Sequence, residues 1–140
     1  MKKIIFAALF IFTAFNAFAQ EVPFTLEVTN VRSDKGNIMV GICSTEDQFL
    51  EKDKCTYAFS MPAAKGTMVK NLNIVKGKYA IIIFHDENNN NILDRAMFGK
   101  PQEYYGFSNN TYGAFGSKPE FNKALVDING KTNATVKLRK

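Results

Sequence analysis

Tyr79-Ala80-Ile81-Ile82-Ile83-Phe84, followed at once by His85-Asp86-Glu87-Asn88-Asn89-Asn90-Asn91, is the stretch on which the fold turns. It is apolar at odd and even positions alike, so it predicts a central strand buried on both faces. Outward from it, Thr67 to Val75 reads as the preceding strand, ended by Lys76-Gly77-Lys78. Phe24-Thr25-Leu26-Glu27-Val28-Thr29 alternates apolar and polar, the period of a half-buried strand. After the turn signal Asp34-Lys35-Gly36-Asn37, the positions Ile38, Val40 and Ile42 resume the alternation, and the pair predicts a hairpin. Thr45 to Lys54 is polar around Phe49 and Leu50 and has room for one short helical turn. Ala124-Leu125-Val126-Asp127-Ile128 and Ala134-Thr135-Val136-Lys137-Leu138 close the chain as strands joined at Asn129-Gly130. No stretch carries a long 3.6-residue apolar period. Short strands at regular spacing predict an all-β fold, an antiparallel β-sandwich of about seven strands with one long loop after the central strand.

The chain opens Met1-Lys2-Lys3, runs apolar from Ile4 to Phe12, and reaches Ala17-Phe18-Ala19. A charged start, an apolar stretch and an Ala-x-Ala site in that order predict a signal peptide over 1–19, cleaved after Ala19. Thr13 and Asn16 interrupt the run well short of the roughly 20 apolar residues a membrane span needs. Gln20, where a lipoprotein would carry Cys, predicts no membrane anchor after cleavage. Residues 20–140 then form a single domain, secreted or periplasmic. Loss of Lys2 and Lys3 lowers the formal net charge from +5 to +3, too weak and too dispersed for a nucleic-acid footprint. In an oxidising compartment the only cysteines, Cys43 and Cys55, predict a disulfide. Their spacing excludes a CxxC redox motif, and no second Cys/His pair completes a zinc site.

The residues after the central strand carry the chemistry. Oxygen-bearing side chains fall at alternate positions, Asp86, Asn88 and Asn90, and again at Asp94, with the Ile92 carbonyl between. Calcium takes six to eight oxygens at about 2.3–2.6 Å, and such a ladder supplies them. Asn91 stands where EF-hand loops place Gly, and Asn tolerates the left-handed conformation needed there. Met97 stands where such loops place a bidentate Glu, which leaves Glu103 as the candidate completing ligand. The competing explanation is a cluster of Asx-turns without metal.

His85 is the only histidine and hence the only conventional base titrating near neutrality. On a strand, His85 and Asp86 point to opposite faces, which argues against a dyad. Glu103 and Asp94 are conceivable as a carboxylate pair, although nothing in their spacing requires it. Downstream, Tyr104, Tyr105, Phe107, Tyr112 and Phe115 crowd a Gly-rich stretch over 99–116. Such aromatics either contact a glycan or protein partner or fold back over an open sheet face as a satellite core.

Phe98-Gly99-Lys100-Pro101-Gln102-Glu103 and Tyr105-Gly106-Phe107-Ser108-Asn109-Asn110, with the His85–Asp94 run, resemble domain-of-unknown-function family 2141, exported bacterial proteins. Gly77-Lys78-Tyr79-Ala80 and the Pro119-x-Phe121 step match as well, so the resemblance spans roughly 24–138. The family's loops commonly read Asn-Gly-Asn-Gly, and here Asn89 and Asn91 replace both glycines. The resemblance implies a sandwich similar to transthyretin-like, prealbumin-type and immunoglobulin-like domains, mostly binding or accessory modules. It carries no activity with it. The expectation is an exported accessory or binding domain with a calcium loop at 86–94. The alternative is an envelope-polymer hydrolase using carboxylates near Asp86 and Glu103, or His85.

Overall fold

The computed structural model describes residues 19–51 and 54–140; the expected leader falls almost wholly outside them. Eight strands are present among the described residues: β1 (Glu21–Val31), β2 (Asn37–Cys43), β3 (Tyr57–Pro62), β4 (Gly66–Val75), β5 (Gly77–Asp86), β6 (Tyr105–Phe107), β7 (Leu125–Ile128) and β8 (Thr132–Lys137). Two short helices, α1 (Glu46–Leu50) and α2 (Phe121–Ala124), interrupt them. The strands form a three-stranded sheet, β4-β1-β8, and a five-stranded sheet, β3-β2-β5-β6 with β7 also on β5. The result is an all-β, sandwich-like fold.

The two sheets bury one core. Phe24, Leu26 and Val28 of β1, Ile74 of β4 and Val136 of β8 belong to it. Ile38, Val40 and Ile42 of β2 and Ile81 and Ile83 of β5 complete it from the other sheet. The register Ile38↔His85, Val40↔Ile83, Ile42↔Ile81 aligns these inward positions across the β2–β5 pair. The opposite face of β5, Ala80, Ile82 and Phe84, packs into a second cluster with Cys43, Phe49, Tyr105, Phe107 and Ala124. β5 is therefore central and buried on both faces, as its composition predicts.

Three expectations need correction. β1 and β2 form no hairpin, for they lie in different sheets. Each has an apolar face, and placing the strands on opposite sides of the core buries both faces against each other. The corner between them is tight: Gly36 has φ +68°, and a Cβ there would lie 1.9 Å from the Asp86 carbonyl oxygen. Secondly, the sheets are not wholly antiparallel, because β1 pairs β8 in parallel from Phe24↔Thr132 to Thr29↔Lys137. Thirdly, two strands go beyond those the sequence pattern marks, β3 and the three-residue β6, giving eight where about seven are expected.

β6 and β7 occupy successive lengths of one β5 edge, at Ile82–Phe84 and at Gly77–Ala80. Between them the Ile81 amide donates to the Ser108 hydroxyl at 2.8 Å, and that hydroxyl donates to the Ala124 carbonyl. A fully buried serine thus fills the ladder where no strand reaches. Gly106 is needed beside it, since a Cβ there would meet Val136 Cγ1 at 2.7 Å and the Lys137 carbonyl oxygen at 2.9 Å.

Cys43 and Cys55 form the expected disulfide, with Cα atoms 4.3 Å apart. Helix α1 lies inside its loop, capped by Thr45, whose side chain accepts from the Gln48 amide. The bridge therefore fixes α1, and with it Phe49, over the outer face of β5. Because a closed loop of this length limits the unfolded chain, reduction should destabilise the fold by about 3 kcal/mol. Thermal unfolding with and without reductant reads this directly. Thiol counting on unfolded, unreduced protein should find none free.

Candidate functional site

β5 ends in two buried polar residues that face opposite ways. His85 continues the inward row of Ile81 and Ile83, and its Nε2 lies 2.7 Å from the Lys35 carbonyl oxygen. A carbonyl oxygen only accepts, so Nε2 carries the proton of that contact. Nδ1 is buried without a hydrogen-bond partner. Asp86 continues the outward row of Ile82 and Phe84 and is 0% exposed. The two residues share no site.

The Asp86 carboxylate organises the loop that follows. It accepts from the Asn90 amide at 3.1 Å and from the Asn91 amide at 2.8 Å. Closing the chain this tightly needs left-handed backbone at Asn89 (φ 61°) and Asn91 (φ 62°), which Asn adopts more readily than most residues. The Asn89 side-chain oxygen accepts in turn from the Asn37 side-chain amide at 2.7 Å. Above this base, the Asn88 and Asn90 side-chain amides both reach Asp94, at 2.7 and 2.9 Å, one to each carboxylate oxygen.

Glu103 closes the loop from the other side. One of its oxygens accepts from the Glu87 amide at 3.1 Å and the other from the Asp94 amide at 3.2 Å. The Gln102 amide donates back to the Asp94 carbonyl at 2.7 Å. Glu103 is 6% exposed, and burial raises its pKa more than the two amides lower it, with the Asp94 and Asp86 charges adding to the rise. Glu87, by contrast, is lowered, first by the Ser33 hydroxyl, which donates to it at 2.6 Å.

Of the expected ligand set, Asp86, Asn88, Asn90, Asp94 and Glu103 all belong to this one network. Their oxygens are engaged by backbone and side-chain N–H groups, and the Ile92 amide is held by the Asn90 side-chain oxygen at 3.0 Å. Among the described residues, no three His, Cys, Asp or Glu side chains gather as a metal cluster. Met97, at the EF-hand glutamate position, is 83% exposed on the 97–99 turn.

The aromatic segment folds back. Tyr105 and Phe107 are buried, and with Phe49 and Tyr112 they form edge-on pairs with ring centroids 5.5–5.9 Å apart. Tyr112 lies beneath the Arg139 guanidinium at 3.2 Å, and Tyr104 beneath Arg32 at 5.7 Å. The satellite-core alternative describes these rings; among the aromatics of the segment, Phe115 is the one fully exposed.

A family model described as an uncharacterized protein conserved in bacteria, domain-of-unknown-function family 2141, matches residues 26–137. The chain belongs to this family. No curated protein and no solved structure matches it. In this member of family 2141 the Gly-x-Pro-x-Glu element ends in the carboxylate that clasps the loop. Its Gly-Phe-Ser element supplies the close approach at Gly106, the buried Phe107 and the ladder-filling Ser108. No helix among the described residues is long and apolar enough to cross a membrane.

Sequence reasoning missed two cations beside the aromatic segment. Arg95 and Lys118 both line a recess of about 310 Å³ on the outer face of the five-stranded sheet. Lys118 donates to the Phe49 and Leu50 carbonyls. Burial lowers its pKa, and the Arg95 charge lowers it further. Neither residue lies in a recognisable motif, so only folding brings them together.

The Glu103 clasp carries a signed prediction. Glu103→Ala leaves the Glu87 and Asp94 amides without their acceptor and should cost about 2–4 kcal/mol. A carboxyl whose folded pKa is raised contributes stability below its ordinary value and loses it as pH rises through the folded value. The wild-type advantage over Glu103→Ala should therefore shrink from pH 4 to pH 8, as read by urea unfolding. An advantage that grows over this range contradicts the burial argument.

Proposed function

We propose that the protein is an exported accessory domain of the binding type, with the 86–94 loop as a calcium-responsive clasp. The observation that carries this reading is the convergence of the Asn88 and Asn90 side chains on the two oxygens of Asp94. Rotating each amide by half a turn presents oxygen in place of nitrogen. Two amide oxygens would then stand beside the two Asp94 carboxylate oxygens, in exchange for the bonds that the Asn88 and Asn90 oxygens accept from the Asn90 and Ile92 backbone amides. Hard oxygen donors of this kind suit calcium, in the affinity class of extracellular modules, about 10⁻⁴–10⁻³ M. The disulfide supports an oxidising compartment, and the Ala17-Phe18-Ala19 site supports cleavage before Gln20.

A hydrolase centred on His85 or on the Asp86–Glu103 carboxylates has less support. His85 is buried on the inner face of β5, and both carboxylates are committed to backbone amides.

Millimolar calcium should raise the melting temperature, because a ligand that binds only the native state stabilises it by RT ln(1 + [L]/Kd). At ten times Kd the gain is roughly 1.4 kcal/mol, a shift on the order of 5 °C. Asp94→Ala is the informative variant: Asp94 receives the two amides through its side chain, whereas Asp86 is fully buried and its loss would loosen the loop itself. Asp94→Ala should fold and show no calcium shift. A wild type that melts at one temperature across the titration would remove the calcium assignment.

Export has its own readout. The intact mass of protein recovered from the envelope or medium should correspond to a chain beginning at Gln20, with or without cyclisation to pyroglutamate. A product that retains Met1 to Ala19 would overturn it.

A further inference from the structure

The outer face of the five-stranded sheet is only half covered. The 87–124 segment and α1 cover the outer face of β5, while Ala58 and Ser60 of β3 lie open. Two adjoining recesses result, one of about 270 Å³ over Met39, Ala58 and Ser60, the other of about 310 Å³ reaching Arg95 and Lys118. They share Ile82 and Phe84 as lining residues, so they form one trough. Its far bank is apolar and open to solvent: Leu50 is 63% exposed and Ile92 57%.

At the roofed end the charged residues among the described lining are both cations, Arg95 and Lys118. Among the described residues, the ion pairs are Lys54–Glu51 and Lys123–Glu120, and no carboxylate pairs with Arg95 or Lys118. Lys118 gives two of its three hydrogens to the Phe49 and Leu50 carbonyls, and Arg95 gives one of its five to the Gly99 carbonyl. Both therefore keep donors for a ligand. Arg95 and Lys118 line the same recess, so an anion held there meets two positive charges. The apolar floor beside them asks for a hydrocarbon body on the same molecule.

We infer that this trough is a binding site for a small anionic amphiphile, a carboxylate with an aliphatic or aryl body. The headgroup sits between Arg95 and Lys118, and the tail lies over Ile82 and Phe84 towards Ala58 and Ser60. The inference extends the binding-type reading and is independent of calcium at 86–94.

Calorimetric titration of the purified, folded protein in EDTA tests it, with decanoate, decanol and decyltrimethylammonium as probes. Decanoate should bind one to one, at least about tenfold more tightly than the cationic probe. The double variant Arg95→Gln, Lys118→Gln should weaken decanoate at least about tenfold and leave decanol unchanged, since a lost charge-assisted hydrogen bond is worth that much or more. Gln at 118 still offers two N–H donors, on a side chain one bond shorter, and circular dichroism checks that the roof stays in place. Ala58→Phe, which fills the floor, should weaken decanoate and decanol together. Equal affinity for the three probes, no saturable decanoate binding, or a double variant that binds like wild type overturns the inference. A stable dimer in sedimentation that decanoate leaves intact also overturns it, and assigns the trough to a second copy of the chain. Because EDTA is present throughout, failure here leaves a calcium shift standing, and a missing calcium shift leaves this result standing.

Discussion

A strand that is apolar on both faces has to be covered twice, and β5 imposes that condition on the whole chain. Its inward row, Ile81 and Ile83, is met by the three-stranded sheet. Its outward row, Ala80, Ile82 and Phe84, has no second sheet to face. At about 25 cal/mol per Å² of apolar surface, leaving such a row in water would forfeit several kcal/mol. The chain between β5 and β7 answers this by folding back as a third layer. Tyr112 comes from it, α2 closes it, and the disulfide loop adds Phe49, while Tyr105 and Phe107 extend the row from β6 within the sheet. What looks in sequence like an overlong loop is a cover, which is why it holds so many rings.

The cover has to be fastened, and its fastening is polar. A buried ionised carboxylate is costly unless it is hydrogen-bonded. Asp86 and Glu103 meet that condition with backbone amides alone: Asn90 and Asn91 for the first, Glu87 and Asp94 for the second. Each carboxylate ties two loop amides, so the buried oxygens and the backbone satisfy each other. Gly36 completes the arrangement from below. Its missing side chain lets the β1–β2 corner press on the Asp86 carbonyl, and that corner also supplies the Lys35 carbonyl that holds His85.

How far the sequence reveals this depends on whether a feature is local. The double-sided composition of 79–84 is local, and it marks the centre of the sheet correctly. Asn89 and Asn91 are local too: asparagine tolerates left-handed backbone, and both adopt positive φ. The Cys43–Cys55 pair follows from compartment and count. Pairing partners are not local. Phe24–Thr29 and Ile38–Ile42 alternate as hairpin strands do, yet alternation reports only that each has a buried face. It does not say whether those faces lie side by side or across a core. β6 is invisible for another reason, since three residues carry no period. Its place is fixed by Gly106 fitting under β8 and by Ser108 filling the gap at Ile81. The Arg95–Lys118 pair needs the chain to fold back over 23 residues of sequence, which no spacing rule encodes.

The 86–94 loop joins these two halves of the molecule. Its polar side chains, Asp86, Asn88, Asn90 and Asp94, turn inward upon one another and the backbone. Its apolar residues, Ile92 and Leu93, turn to the trough, where Arg95 follows directly. The alternation that suggests a ligand ladder is therefore also a partition between two surfaces. Asn90 shows how tightly they are joined, for its side chain contacts both Asp94 and the Ile92 amide. A change of hydrogen-bond partners at Asp94 acts on the same peptide that presents Ile92 to solvent. The cover and its fastening thus hold the polar network of the domain, while the two sheets beneath supply its floor.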